Sequence, residues 1–163
     1  MKKIKIIITG GTFEKEYNEI AQEFSIVKTQ VPELLKKARS RLVVSSKILF
    51  LRDSKEFGDS ERISIMQECK LSEEEHIVII HGTDSMTKTA AILGKNIRNK
   101  TIILTGAMIP ACFPNSDAEF NLGAAMAFVQ SLQKGVYVAM NGRYFRWDDV
   151  QKDNGSGFFR RRP

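Results

Sequence analysis

The feature that most constrains this chain is a series of short β-branched runs. Each is stopped by glycine or small polar residues, and helical patterns fall between them. Ile4 to Thr9 stops at Gly10-Gly11, and Lys47 to Arg52 stops at Asp53-Ser54. His76 to His81 stops at Gly82-Thr83-Asp84, Thr101 to Leu104 at Thr105-Gly106, and Val136 to Met140 at Asn141-Gly142. Unbroken Ile/Val/Leu runs belong to strands buried on both faces, which is the habit of parallel sheets. Between them, Pro32 to Leu42 carries Leu34, Leu35, Ala38 and Leu42 at helical spacing, with Pro32 suited to a first turn. Asp59-Ser60 offers a helix cap before Ile63, Met66 and Cys69. Met86, Ala90, Leu93 and Ile97 fall on one helical face. Ser116 and Glu119 form a capping-box pair ahead of a helix marked by Phe120, Ala124, Ala127, Phe128 and Ser131. Strand and helix in alternation predict an α/β fold: a doubly wound, mostly parallel sheet flanked by helices, with right-handed crossovers. Asn154 to Gly157 reads as a flexible tail, with Arg160 to Arg162 exposed.

At 163 residues the chain suits one domain, 1–163, with a full core and no need of a disulfide or metal staple. The net charge of +6 is carried by six cations at the two ends, Lys2, Lys3, Lys5, Arg160, Arg161 and Arg162; the rest balances. A terminal excess points to solvated ends, so no nucleic-acid partner is expected. The start imitates a secretory leader, but Ile6-Ile7-Ile8 is far short of an apolar leader core, and no run approaches a membrane span. No membrane partner is expected. Cys69 and Cys112 are too few for a disulfide framework and suit a reducing, cytoplasmic setting.

In doubly wound sheets, ligands bind beyond the carboxyl ends of the strands. Gly10-Gly11-Thr12, Asp53-Ser54, Gly82-Thr83-Asp84, Gly106 and Asn141-Gly142 occupy those places. Taken one at a time, Thr12 fits a turn, Asp84 fits a helix cap, and Lys152 fits a surface lysine paired with an aspartate. Nucleotide binding lacks its motifs: no G-x-G-x-x-G follows the first strand, and Gly94-Lys95-Asn96 fails the phosphate-loop pattern. His76 and His81 flank one strand without carboxylate or thiol partners at metal spacing, so they read as core or edge histidines and no metal is assigned.

The exact words at those strand ends, in this order, resemble the bacterial-type L-asparaginase family. They are Ile8-Thr9-Gly10-Gly11-Thr12, His81 to Met86 (HGTDSM), Leu104 to Pro110 (LTGAMIP), Ser116-Asp117 with Asn121-Leu122, and Gly135 to Gly142 (GVYVAMNG) running on to Trp147 to Lys152 (WDDVQK). The likeness spans nearly the whole chain but only the N-terminal, catalytic domain of longer members, whose C-terminal domain is expected to be absent. It implies L-asparagine as substrate, no cofactor and a homo-oligomer, dimer or higher. The small-residue helix Asn121 to Ala127 suits close packing, against a second copy or against the sheet. The resemblance also implies roles. Thr12 matches the nucleophile toward the side-chain amide, Thr83 the second catalytic threonine, and Lys152 the lysine paired with it. Asp84 matches the anchor for the substrate's α-ammonium, Ser54 the serine on its α-carboxylate, and Asp53 shapes that pocket. Tyr17, five residues after Thr12, is the tyrosine available to activate it. The chain departs from many relatives at Phe13-Glu14-Lys15-Glu16, where they carry small and polar residues.

General chemistry makes such a set coherent. A threonine hydroxyl attacks a carbonyl only when another group takes its proton. A lysine amine takes that proton once neutral, which burial or neighbouring charge promotes. A carboxylate anchor converts binding energy into position. Gly10 and Gly11 are expected to let backbone N–H groups approach a developing oxyanion. The expected reaction is therefore hydrolysis of L-asparagine to L-aspartate and ammonia. The rivals are an L-glutamine-preferring amidase, a non-catalytic module that binds asparagine or aspartate, and a nucleotide-binding domain.

Overall fold

The computed structural model describes residues 2–163. Its centre is a six-stranded sheet built from β1 (Lys3–Gly10), β4 (Val43–Arg52), β5 (His76–Ile80), β6 (Thr101–Thr105), β7 (Gly135–Met140) and β8 (Arg143–Arg146). Their order is β4-β1-β5-β6-β7-β8. The first five are parallel, while β8 returns antiparallel beside β7. The doubly wound, mostly parallel sheet is present. The helices are α1 (Val31–Lys37), α2 (Asp59–Leu71), α3 (Met86–Asn96) and α4 (Ala118–Ser131). Two small hairpins, β2 (Glu16–Asn18) with β3 (Glu23–Ser25) and β9 (Gln151–Lys152) with β10 (Phe159–Arg160), lie outside the sheet.

Strand alternation sorts the core into two layers. Ile7, Ile77 and Ile79 pack with Ile65 and Cys69 of α2 and with Met86, Ala90 and Leu93 of α3. Ile6, Ile8, Val78 and Ile80 face the other way, onto Val31 and Leu34 of α1 and Leu122, Ala125 and Val129 of α4. Ile6, Ile7, Ile8, Ile77, Val78, Ile79 and Ile80 are fully buried, each side chain worth about 1.5–3 kcal/mol of transfer free energy. Among the described residues no helix is long and apolar enough to cross a membrane.

Several local expectations need correction. Helix α1 ends at Lys37 rather than running to Leu42. Arg39 turns left-handed (φ 52°), and the N–H groups of Ser40 and Arg39 donate back to the Leu35 and Lys36 carbonyls, which closes the helix and frees Val43 to open β4. Helix α2 is capped at Gly58, not at Asp59-Ser60, with the Glu61 carboxylate reaching back to the Gly58 N–H at 2.7 Å. The Ser116–Glu119 capping box does not form. Asp117 is the cap residue of α4, and Glu119 pairs with Lys37 instead. The α4 face also differs: Ala118, Leu122, Ala125, Met126 and Val129 turn inward, whereas Phe120 and Ala127 are exposed. Asn141-Gly142 (φ 54° and 78°) is the two-residue turn joining β7 to β8 rather than an open strand end. The Asn154–Gly157 stretch is a tied turn: the Asp153 carboxylate accepts from the N–H groups of Gly155 and Ser156, and Phe159 beyond it is buried. The end cations are partly paired, Lys3 with Glu74, Lys5 with Glu68, Arg160 with Asp153 and Arg161 with Asp149.

Candidate active site

The strand order turns at β1 and β5: from β1 the chain moves out to β4, then crosses back to the far side of β1. That reversal opens a crevice beyond the carboxyl ends of β1 and β5, the place where such sheets take ligands. Gly10-Gly11-Thr12 and His81-Gly82-Thr83-Asp84 leave the sheet on its two sides, and Asp53-Ser54 follows β4 at its edge.

Glycine lets these three turns touch. Gly11 holds φ 82°, and a Cβ there would lie 2.5 Å from the Gly82 Cα. A Cβ on Gly82 would lie 2.5 Å from the Ser54 Oγ. The Gly11 N–H is already given to the Arg52 carbonyl at 3.0 Å. Gly11 therefore supplies room for the neighbouring turns, its own N–H being held by the Arg52 carbonyl. Ser54 is buried, its Oγ accepting from the Ser85 N–H at 3.3 Å, while the Ser85 hydroxyl donates to the Ser54 carbonyl at 2.8 Å. His81, at the end of β5, is fully buried between the Gly82 carbonyl (2.7 Å) and the Thr89 hydroxyl (2.8 Å). Burial pushes its imidazole down to about 4, against the opposing hydrogen bond to Gly82. A neutral imidazole that donates to a carbonyl through Nδ1 accepts the threonine proton at Nε2. His81 is thus a core histidine that fixes the start of the Thr83 turn.

The densest polar contact joins residues far apart in sequence. The Lys152 Nζ donates to the Thr83 Oγ1 at 2.9 Å, across 69 positions. It also donates to the Asp84 Oδ1 at 3.0 Å. The lysine side chain is only 14% exposed, and the aspartate is 45% exposed. Hairpin β9–β10 holds the lysine there, with Lys152 opposite Phe159. The Thr83 hydroxyl in turn points its proton at the Met108 sulfur, 3.6 Å away. The backbone N–H of Met108 is fixed by the Asp117 carboxylate at 3.1 Å.

Thr12 sits differently. It opens a 3-10 turn, Thr12–Glu14, and among the described residues no side-chain hydrogen bond holds its hydroxyl. The chain then runs into an arm, the β2–β3 hairpin. Tyr17 lies on that arm, 52% exposed, its ring edge-on to Phe24 at 5.4 Å. Among the described residues no hydrogen bond joins Tyr17 to Thr12. The arm rests on the loop after β6 through Phe24 and Phe113, whose rings are 5.8 Å apart. The Lys15 Nζ ties the base of the arm to Asp53 at 3.2 Å. Burial pushes Asp53 upward, but the Lys55 N–H and the Lys15 ammonium more than offset it and hold the carboxyl below its usual range.

Four neighbours of the site went unread in the sequence. Lys55 places its ammonium 3.6 Å from the Asp84 Oδ2, Lys15 pairs with Asp53, and Met108 touches Thr83. Glu14, two residues past Thr12, is fully buried and accepts from the Thr29 hydroxyl at 2.8 Å and from the Gln30 N–H. Burial pushes its carboxyl up to about 7 against those two hydrogen bonds. The signal for it was the charged residue directly behind Phe13, in a stretch otherwise leading off the sheet.

Comparison with known proteins identifies the family. The family model described as the N-terminal domain of asparaginase matches residues 3–159. The L-asparaginase of Thermococcus kodakarensis is 30% identical over 161 residues, covering 95% of this chain and 49% of that protein. Its solved structure superposes with a TM-score of 0.82 at 28% identity over 92% of this chain and 47% of that one. A glutamyl-tRNA(Gln) amidotransferase component from Methanococcus maripaludis is 34% identical over 149 residues, 87% of this chain and 35% of that protein. A structure described as a probable cytoplasmic L-asparaginase from Campylobacter jejuni gives a TM-score of 0.77 at 28% identity, over 93% of this chain and 48% of that one. The chain thus spans half or less of the length of these relatives.

Proposed function

We propose that this chain, which belongs to the asparaginase family, hydrolyses the side-chain amide of L-asparagine to L-aspartate and ammonia through a threonine nucleophile. The observation that carries this reading is the Lys152–Thr83–Asp84 cluster at the turning point of the sheet. Ion pairs are common on surfaces, but a mostly buried lysine bonded to a threonine hydroxyl is a device for moving a proton. In this reading the Thr12 Oγ1 attacks the amide carbon, and the proton it loses is passed to the departing nitrogen. The C–N bond breaks, ammonia leaves, and an ester on Thr12 remains. Water then adds to that ester, with Thr83 and Lys152 relaying its proton, and aspartate is released. Asp84 holds the α-ammonium, Ser54 the α-carboxylate, and Asp53 shapes the wall beside it. Tyr17 serves Thr12 when the arm brings it in.

A second reading, an amidase that prefers L-glutamine, is supported by the likeness to a glutaminase-asparaginase of Acinetobacter glutaminasificans, 40% identical over 80 residues, 47% of this chain and 24% of that protein. Asparagine and glutamine differ by one methylene, worth about 1–3 kcal/mol of discrimination in a pocket. The deciding experiment is ammonia release by the purified chain from each amide. Faster release from asparagine supports the first reading, and faster release from glutamine replaces it with the second. Release from neither, together with saturable aspartate binding, makes the chain a binding module.

We also propose a cytoplasmic homo-oligomer, dimer or higher. The outer face of α4 supports close approach of a second copy: Phe120 is 63% exposed, and a Cβ added to Gly123 would meet nothing within 4 Å. Two-fold dimers are the commonest closed assembly. A strict monomer in light scattering at micromolar concentration, with full activity, removes this part.

A further inference from the structure

We propose that Met108 is an oxidation-sensitive modification site that governs Thr83, an inference that rests on reading Thr83 as catalytic. Its sulfur accepts the Thr83 hydroxyl proton at 3.6 Å while the residue is 44% exposed. Other methionines are shielded: Met86, Met126 and Met140 are buried and Met66 is half-buried. Susceptibility to oxidation follows exposure. Met108 is therefore the methionine, among the described residues, that a dissolved oxidant reaches first.

The position is fixed as well as open. The Asp117 carboxylate accepts the Met108 N–H, and the turn at Gly157 comes to within a methyl's reach of the Met108 Cε, since a Cβ there would lie 3.1 Å away. The backbone anchor and the Gly157 turn set the sulfur beside Thr83 in the structure.

The reagent class is a peroxide, such as hydrogen peroxide. A sulfur lone pair attacks one peroxide oxygen, the O–O bond breaks, and water leaves. The thioether is oxidised to the sulfoxide and the peroxide is reduced to water. A thioether is a weak acceptor, whereas a sulfoxide oxygen is a strong one. The sulfoxide oxygen then holds the Thr83 hydroxyl proton more firmly than the thioether does, which withdraws it from the proposed relay with Lys152. The step is reversible by a methionine sulfoxide reductase with a dithiol, which returns the thioether, water and a disulfide.

The test treats the full chain with hydrogen peroxide in a Cys112→Ser background, because the Cys112 thiol is exposed and would react too. Cys69 is buried, and burial pushes its thiol up to about 12, so it stays inert. Peptide mapping should show Met108 sulfoxide forming ahead of sulfoxide at Met66, Met86, Met126 and Met140. Ammonia release should fall about tenfold in step with it, the worth of one misdirected hydrogen bond, and should return with the reductase. A Met108→Leu variant, scored against its own untreated rate, should keep that rate under peroxide. Equal loss in the leucine variant, or oxidation elsewhere first, overturns the proposal. If the untreated protein releases no ammonia, the functional reading fails on its own. The modification is then judged on the peptide map and on whether the Thr83 amide resonance moves as Met108 oxidises; an unmoved resonance overturns it.

Discussion

The two threonines of the site are held in opposite ways. Thr83 is 7% exposed, bonded to Lys152 and Met108, on a turn pinned by His81 below and by Ser54 and Ser85 beside it. Thr12, with no side-chain partner among the described residues, stands at the mouth of an arm where Tyr17 is 52%, Ile20 97% and Val27 67% exposed. One side is a finished constellation; the other is a free hydroxyl, the nucleophile of the proposed reaction, beside a loosely packed segment. Catalytic groups built on rigid elements hold their geometry, and closing segments are drawn from the least stable parts of a fold. In the proposed reaction the contrast sets a pre-built proton relay at Thr83 and Lys152 against an attacking hydroxyl at Thr12 that the arm completes.

The strongest way to break that division is to remove each hydroxyl. Thr12→Ala and Thr83→Val should each lower the rate by about a thousandfold or more, and the double variant should be no worse than the weaker single, because groups acting as a unit do not add. Circular dichroism should show both folded. Near-normal ammonia release from either single variant removes that threonine from the chemistry.

Lys152 tests the finished side. Lys152→Arg keeps the charge beside Asp84 but replaces the amine of the proposed relay with a guanidinium that stays protonated. It should be as damaging as Lys152→Ala, by about 100- to 10,000-fold in kcat, the usual span for general acid–base catalysis. An arginine variant with normal turnover and an unchanged pH profile would make this a structural ion pair.

Asp84 tests where the division meets. Asp84→Asn loses a charged anchor worth roughly 1.5–3 kcal/mol, so kcat/KM should fall about 10- to 100-fold, mainly through KM. Undiminished aspartate affinity in isothermal calorimetry ends the anchor role.

The finished side was also the more legible in sequence, with one exception that explains the rest. Strands β1, β5 and β6 announce themselves because sheets buried on both faces require unbroken apolar runs, and Gly11 and Gly82 mark where their ends touch. The α3 face of Met86, Ala90 and Leu93 was readable because Lys88, Lys95 and Asn96 mark its exposed side. Helix α4 misleads because apolar and small residues surround it: Phe120 and Ala127 look as inward as Leu122 and Val129, and only the sheet decides. The exception is Lys152, whose neighbourhood reads as a flexible Asn-Gly-Ser-Gly tail. Its hairpin forms because the Asp153 carboxylate collects two backbone N–H groups and Phe159 finds the core, and neither is a periodic signal. The burial of Glu14 was hidden for the same reason: the sequence shows a charge directly behind Phe13, but its partners Thr29 and Gln30 arrive from the far end of the arm.

The smallest expected effect is in Glu14, and it concerns the loose side. Burial raises its carboxyl from the ordinary 4.5 to about 7 in the folded chain. The folded state then binds a proton more tightly than the unfolded one, so stability from this group is full below about 4.5 and is lost as pH rises through about 7. The shift sets a ceiling near 3 kcal/mol. Glu14 fastens the base of an arm whose Ile20 and Val27 are exposed, and a segment with so few buried contacts is expected to open locally at less cost than the whole fold, which would trim the global loss to about 1 kcal/mol. His81 acts with the opposite sign: its depressed imidazole costs stability as pH falls from 6.5 toward 4. Only a difference against Glu14→Gln isolates the effect. That variant stays neutral at every pH and can still accept from one of the two donors. Urea midpoints should match between wild type and variant at pH 5, and the variant should be the more stable at pH 8. Hydrogen exchange should place the loss locally: the Gln30 amide, which donates to Glu14, should open faster at pH 8 than the intrinsic rate accounts for in wild type but not in the variant. Equal midpoints at pH 8 with equal Gln30 protection would show that the buried carboxylate is fully satisfied by Thr29 and Gln30, and the two sides of the site would then differ in exposure but not in stability.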